Sequence, residues 1–168
     1  MQYHIFKKSL SPEAQAAVNR DGWSASPEGM AYADLRFVGT GHQDTELKVL
    51  YGLAHGIYRH AVSYSVPFDD QEDIGKSHEQ FVKDHMEKIF EHENNHPLNE
   101  VTCLHMAPPF SSMSVGDIVC FGVMGRHQLF ICASVGFEKL PDSVTPVFEK
   151  FCVNEMDLPD AIFEPDAA

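Results

Sequence analysis

The chain has 168 residues, with 25 acidic and 12 basic side chains and a formal net charge of −13. This length suits one domain that buries a core without help from a metal ion or disulfides. Binding to nucleic acid or to an anionic membrane needs a concentrated basic patch, and the negative charge argues against both. We therefore expect no membrane partner and no direct binding of nucleic acid.

Two further observations favour a cytoplasmic protein without a structural zinc site. The N-terminal residues contain no apolar run long enough for a signal peptide, and no stretch of the chain is long and apolar enough for a membrane span. The cysteines lack CxxC spacing and lie in or beside apolar stretches, as expected of reduced, buried thiols: Cys103, Cys120, Cys132 and Cys152.

Short strands and helices are predicted over residues 2–66. Residues 2–7 are typical of a strand, and Ser11 and Pro12 then start a helix that Gly22 stops. Residues 30–38 weakly favour a strand because of their aromatic and branched side chains, whereas residues 44–54 suit either a helix or a strand. Residues 57–66 alternate as a strand does.

The clearest helix is predicted over residues 78–93. Ser77 and Gln80 are spaced as in a capping box, and Val82, Met86 and Ile89 recur on one face. Two apolar runs, 118–124 and 128–135, then predict a hairpin, and residues 141–152 a last short helix. We expect a single α+β domain over residues 1–153, with an antiparallel sheet packed by one long amphipathic helix and one or two short ones.

The acidity is concentrated in two segments. Residues 69–93 hold nine acids and three lysines, and residues 154–168, an expected acidic C-terminal tail, hold five acids and no base. A solvated helix face with a frayed tail is one interpretation, and a docking surface for a basic partner or a mimic of nucleic-acid charge is the other. The candidate interaction surface comprises Asp69, Asp70, Glu72, Asp73, Glu79, Asp84, Glu87 and Glu91.

Catalytic and metal-binding patterns have little support. His92 and His96 have the spacing of a helical zinc pair, but the helix is ending there and no third ligand can be placed. The chain contains no Gly-x-Ser-x-Gly elbow, no GxGxxG and no Walker loop. We therefore expect no catalytic residues, no cofactor and no metal site.

The sharpest motif is Ser-Met-Ser-Val-Gly-Asp-Ile-Val at residues 112–119, followed by Gly-Phe-Glu at residues 136–138. It predicts a turn that starts a strand, in which Gly116 takes a positive φ and Asp117 or Ser114 binds nearby backbone amides. Phe137 is expected to fold back onto the core. The predicted turn motif comprises Ser112, Ser114, Gly116, Asp117, Gly136 and Phe137.

In order and spacing, four segments resemble the YodL-like family of small phage, plasmid and mobile-element proteins. They are residues 58–62, the helix end at 89–97, the Ser-x-Ser-Val-Gly-Asp motif and the Gly-Phe at 136–137. The resemblance covers residues 57–140, so residues 1–56 would be an N-terminal elaboration. The acidic stretch at 67–76 is longer than in that family. The resemblance implies a mobile-element setting and supplies no catalytic residue.

These observations favour a non-enzymatic accessory protein of a phage or other mobile element that acts by binding a host or phage protein. One alternative is an acidic DNA mimic that inhibits a nucleic-acid-binding defence enzyme of the host. A lesser alternative is a small RNA-binding barrel of the PUA or SH3 type, for which only Arg126, His127 and Lys139 offer positive charge near the hairpin. A homo-oligomer is also possible.

Overall fold

In the computed structural model, one six-stranded antiparallel sheet carries helices on both faces. The structure describes residues 2–38, 44–69, 71–94, 98–106, 112–123, 126–142 and 144. The predicted single-domain α+β class is confirmed. Its helices are α1 (Pro12–Asp21), α2 (Pro27–Leu35), α3 (Thr45–Ala54) and α4 (His78–Asn94). Its strands are β1 (Gln2–Lys8), β2 (Tyr58–Ser65), β3 (Thr102–Met106), β4 (Ile118–Val123), β5 (Arg126–Cys132) and β6 (Phe137–Lys139).

The N-terminal strand lies in the middle of the sheet. The strand order is β3-β2-β1-β4-β5-β6, and each neighbouring pair is antiparallel. Ile5 of β1 is paired with Val62 of β2 on one side and with Val119 of β4 on the other. The segment 1–56, expected as an elaboration, thus contributes a strand to which both halves of the sheet are bonded.

Helix α4 packs on one face of the sheet, which we call the α4 face. Val82, Met86 and Ile89 are buried there, as their spacing predicts, against Tyr3 and Ile5 of β1. The opposite face, which we call the α2-α3 face, is covered by helices α2 and α3. Its buried core includes Ala31, Leu35, Val49, Phe6, Ile118 and Leu129.

The predicted strand at residues 30–38 is wrong, because α2 occupies most of it. Ser26 accepts a hydrogen bond from the Gly29 N–H at 3.1 Å, and Pro27 is the first helical residue. The same Ser-Pro-Glu order starts α1, where Ser11 accepts from the Ala14 N–H at 3.1 Å. The capping residues therefore predict this helix better than the mixed apolar pattern that follows them.

The other predicted helices are largely as expected. Helix α1 ends at Gly22, and the ambiguous residues 44–54 form α3. Ser77 caps α4 by accepting from the Gln80 N–H at 3.2 Å, but the Gln80 side chain donates to Asp84 at 2.7 Å. Only half of the predicted capping box is therefore formed. The predicted helix at 141–152 lies mostly outside the described residues.

The strands differ from the prediction at the edges of the sheet. Strand β2 and the β4-β5 pair are confirmed, whereas the short edge strands β3 and β6 are not apparent from the sequence. Cys120 and Cys132 are buried as expected, Cys152 lies outside the described residues, and Cys103 is exposed because it lies on edge strand β3. In the described part of the chain, no helix is long and apolar enough to cross a membrane.

Candidate functional site

A groove of about 630 Å³ lies between α4 and the β5-β6 hairpin, and we call it the α4 groove. Its apolar lining is formed by Val82, Met86, Phe130, Val135 and Phe137. Val135 is 88% exposed, although the sequence places it at the end of a buried strand. Strand β5 ends earlier, at Cys132, so Val135 stands in the turn that leads to β6. The volume of the groove lies within the range of roughly 300–1,000 Å³ that is usual for binding sites.

Along helix α4, the lining of the α4 groove extends from His78 to Glu87. Near the start of the helix, the ring of Phe81 lies 6.4 Å from that of Phe121, and Phe121 is paired with Gln128 of β5. Near its end, the ring of Phe90 lies 6.2 Å from that of Phe137. Gln128 therefore lies toward the start of α4 and Phe137 toward its end.

A row of three charged side chains borders the α4 groove. Glu79, Lys83 and Glu87 all line it and are all exposed. Since they are four residues apart on one helix, they lie in one row along its surface. Within the described residues, none of the three forms an ion pair. We call this acid-base-acid row the charge ladder.

Only part of the predicted acidic surface is exposed and unpaired. Lys76 lies 2.5 Å from the Asp84 carboxylate, and Lys88 lies 2.9 Å from that of Glu72. The bond from Lys76 is the main cause that lowers the pKa of Asp84, and the two lysines together neutralise part of the negative charge. Of the predicted acids, Glu72, Glu79 and Glu87 are exposed, Asp69, Asp84 and Glu91 are partly buried, Asp73 is buried, and Asp70 lies outside the described residues.

The prediction of Asp73 as a surface residue is wrong, because its carboxylate belongs to a buried network. Oδ2 of Asp73 accepts from the Asp69 N–H at 2.8 Å and lies 3.3 Å from Nε2 of His85. Burial raises the pKa of Asp73, but these hydrogen bonds outweigh it and leave that pKa below its usual value. Oδ1 of Asp73 lies 3.7 Å from the Lys76 ammonium. The segment before α4 is thereby attached to the helix.

The same network continues through His85 to the central strand. The Tyr3 hydroxyl is hydrogen-bonded to Nδ1 of His85, and the His85 side chain is fully buried. Burial lowers the pKa of His85 despite the nearby Asp73 carboxylate, and burial also raises the pKa of Tyr3. A neutral His85 that donates to Asp73 and accepts from Tyr3 satisfies both contacts. Because Tyr3, His85 and Asp73 are buried, their arrangement stabilises the fold and offers no access to a substrate.

The predicted turn motif is tied to the central strand by Lys8. Gly116 has a φ of 95°, the positive value expected from the sequence. Asp117 accepts from the Ser114 N–H at 2.8 Å and from the Lys8 N–H at 3.1 Å. The Lys8 ammonium donates to the Val115 carbonyl at 2.6 Å. The lysine that closes this turn lies 109 residues from Asp117 in the chain, and no local motif identifies it.

The remaining members of the motif have different surroundings. Ser112 and Ser114 are exposed, and Gly136 has a φ of 69°. Phe137 packs on the core of the α4 face and also lines the α4 groove. The two halves of the motif thus lie at different places, since Gly116 abuts α2 whereas Gly136 and Phe137 belong to the groove.

A second buried polar cluster lies between strands β1 and β2. Nδ1 of His4 and Nε2 of His60 each lie 2.7 Å from the Ser63 hydroxyl oxygen. Burial, with His60 and His127 nearby, lowers the pKa of His4 to about 4. The cluster combines a nucleophilic residue type with two bases, but Ser63 is fully buried. Its geometry therefore supports strand pairing rather than chemistry on a bound substrate.

The histidine pair considered from the sequence is only half described. His96 lies outside the described residues, while Nδ1 of His92 accepts from the Leu98 N–H at 2.9 Å. The neighbouring Glu93 accepts from Lys7 at 2.6 Å and from the Tyr64 hydroxyl. Among the described residues, no group of three or more potential ligands is arranged to hold a metal ion.

Comparison of the chain with protein-family models, with curated proteins and with solved structures finds no significant match. The candidate site therefore depends on its geometry alone. Of the features that border it, the acids of α4 and Phe137 were recognisable from the sequence. The groove itself was not, since it arises from the place where α4 crosses the sheet.

Proposed function

We propose that this chain is a non-enzymatic accessory protein that binds a segment of another protein in the α4 groove. The observation that carries the proposal is the groove itself, an apolar space with an unpaired charge ladder along its border. The net charge of −13 favours a partner segment with basic side chains, since complementary charge speeds and orients association. The resemblance of four segments to YodL-like proteins supports a phage or other mobile element as the setting of this activity.

The alternatives have less support in the described residues. Charge mimicry needs unpaired acids, and Lys76 and Lys88 neutralise two of those expected to provide it. The RNA-binding alternative needs a small closed barrel, whereas the described strands form an open sheet with β3 and β6 at its edges. The groove therefore favours protein binding over both.

The test compares capture of proteins from host lysate by the tagged wild-type chain and two variants. Val135→Glu places a charge in the apolar wall of the groove. Leu47→Glu is the matched control, because Leu47 is 67% exposed on α3, which packs on the opposite face of the sheet. We expect one stoichiometric protein in the wild-type and Leu47→Glu samples and its loss with Val135→Glu.

Mass spectrometry of the captured proteins decides the outcome. Equal capture by Val135→Glu and the wild-type chain, or no specific protein with either, contradicts the proposal. Repeating the capture at high salt separates the contribution of the charge ladder from that of apolar burial. Salt screens the contacts of the ladder and leaves apolar burial largely intact. If high salt abolishes binding and Val135→Glu binds as well as the wild-type chain, the result would instead support the acidic surface alone, as in charge mimicry.

A further inference from the structure

We propose that the occupant of the α4 groove is an amphipathic α-helix of the partner protein, lying beside α4 as a second helix on the same face. This inference rests on the proposed function and specifies the chemistry of the partner. It comes from three features of the described residues, namely the uncovered width of the sheet, the length of the groove and the charge ladder.

The first feature is the width of the sheet that α4 leaves uncovered. Six strands about 4.8 Å apart span roughly 24 Å, whereas one helix is about 10 Å wide. Helix α4 packs over the middle of the sheet, where its Met86 joins the same core as Tyr3 and Phe121. The part of β5-β6 carrying Phe130 and Phe137 faces the groove beside it. About 12 Å separates the middle of the sheet from β6, so a second helix at the usual interaxial distance of about 8–10 Å from α4 would lie over β5 and β6.

The second feature is the length of the groove along α4. Its lining runs from His78 to Glu87, which at 1.5 Å per residue is about 14 Å, or between two and three helical turns. A docked helix of that length presents apolar anchors at positions i, i+3, i+4 and i+7. Val135 and the partly exposed Phe137 offer apolar contact to these anchors, above a floor formed by the buried side chains of Val82, Met86 and Phe130.

The third feature, the charge ladder, specifies the flank of the partner helix. Glu79, Lys83 and Glu87 lie beside the groove without ion pairs among the described residues. A helix packed against α4 complements them with a basic, an acidic and a basic residue spaced by four, as flanking charges do in coiled coils. Since the ladder reads the same in both directions, this order suits a parallel or an antiparallel partner.

The ladder also favours a partner of different sequence over a second copy of this chain. Two α4 helices related by a twofold axis at Lys83 would place lysine opposite lysine. The same arrangement would place Glu79 of one copy opposite Glu87 of the other. Like charges in such positions oppose association.

The probe for this proposal is a pair of designed helical peptides of about 18 residues, a length that can hold helical structure. Both carry leucine at the four anchor positions, and one carries Lys, Glu and Lys on the flank where its twin carries Glu, Lys and Glu. Exposed positions on the far side are adjusted so that both peptides have the same net charge. Fluorescence anisotropy with the full chain measures the two dissociation constants.

We expect the Lys-Glu-Lys peptide to bind about tenfold more tightly than its twin, from three exposed charge pairs changed from attractive to repulsive. The triple variant Glu79→Lys, Lys83→Glu, Glu87→Lys should reverse that preference. Val135→Glu should weaken both peptides, and Leu47→Glu neither. Equal affinity of the two peptides, no binding of either, or an unchanged preference in the triple variant overturns the proposal.

A photo-crosslinking residue in place of Val135 identifies the occupant directly. A cross-link to the added peptide supports the helix. The helix proposal is overturned if, at saturating peptide, the cross-link still forms to residues 145–168 of the same chain or to a second copy. If Val135→Glu loses the lysate partner while neither peptide binds, the helix inference fails and the proposed function stands. If the wild-type chain and Val135→Glu capture the same proteins, both the proposed function and the helix inference fail.

Discussion

The two faces of the sheet are covered in different ways. On the α2-α3 face, short helices and the turn at Gly116 leave apolar side chains such as Leu35, Ile118 and Leu129 almost without solvent contact. On the α4 face, one long helix is attached through a buried polar network, and an apolar groove stays open beside it. One face is therefore closed, whereas the other leaves Val135 exposed beside a groove whose floor belongs to the buried core.

The largest effect is expected where the closed face depends on a glycine. A Cβ at Gly116 would lie 2.6 Å from the Leu35 carbonyl oxygen of α2, at a φ of 95°. Gly116→Ala should therefore lower the free energy of unfolding by about 3 kcal/mol, from backbone strain together with the clash.

Gly136→Ala is the matched control, because Gly136 also has a positive φ but a Cβ there meets no atom within 4 Å. Its cost should be about 1 kcal/mol, from the backbone alone. Urea denaturation compares the two variants. Equal losses would show that the close approach of the turn to α2 does not contribute.

A comparable effect is expected from pH at the His4 cluster. The pKa of His4 is about 4 in the folded chain, below its usual value of about 6.5. Between these values the unfolded chain binds the proton and the folded chain does not, so stability falls as pH falls from about 6.5 to about 4. The total loss is about 3 kcal/mol, and no further loss from His4 occurs below pH 4.

Chemical denaturation at a series of pH values checks this expectation. His4→Gln should reduce the slope in that window without abolishing it, because the pKa of the buried His85 is lowered as well. An unchanged slope in His4→Gln would assign the acid sensitivity to His85 and the α4 face.

A smaller effect is expected where the α4 face is attached to the central strand. Tyr3→Phe removes the hydroxyl that is bonded to His85 and leaves a buried ring nitrogen without that partner. The free energy of unfolding should fall by about 1.5 kcal/mol. Tyr51→Phe, at a 40% exposed position, should change it by less than about 0.5 kcal/mol. If the two variants melt at the same temperature, the hydrogen bond between Tyr3 and His85 does not stabilise the fold.

The difference between the faces also marks what the sequence could predict. The periodic apolar residues of α4, the alternation in β2 and the positive φ of Gly116 are local properties, and each is visible in a short window. The wrong strand prediction at residues 30–38 could also have been avoided from a short window, since Ser26 and Pro27 carry the same helix-starting signal as α1.

The rest depends on pairing between residues far apart in the chain. The contacts of Lys8 with Asp117 and of Tyr3 with His85 join residues separated by 109 and 82 positions. Asp73 looks like any surface acid until His85 is placed beside it. The α4 groove is further from prediction, because it is defined by the crossing of one helix over a sheet rather than by any residue pattern.

The smallest effect on stability is expected in the wall of the groove itself. Val135 is 88% exposed, so Val135→Ser removes little surface that folding buries and should change the free energy of unfolding by less than about 0.5 kcal/mol. Leu129→Ala, on the closed face, should cost about 3 kcal/mol, because it leaves a cavity in a packed core. Urea denaturation of both variants measures the contrast. A large loss in Val135→Ser would mean that the groove is part of the core, whereas a negligible loss leaves its apolar wall free to serve binding.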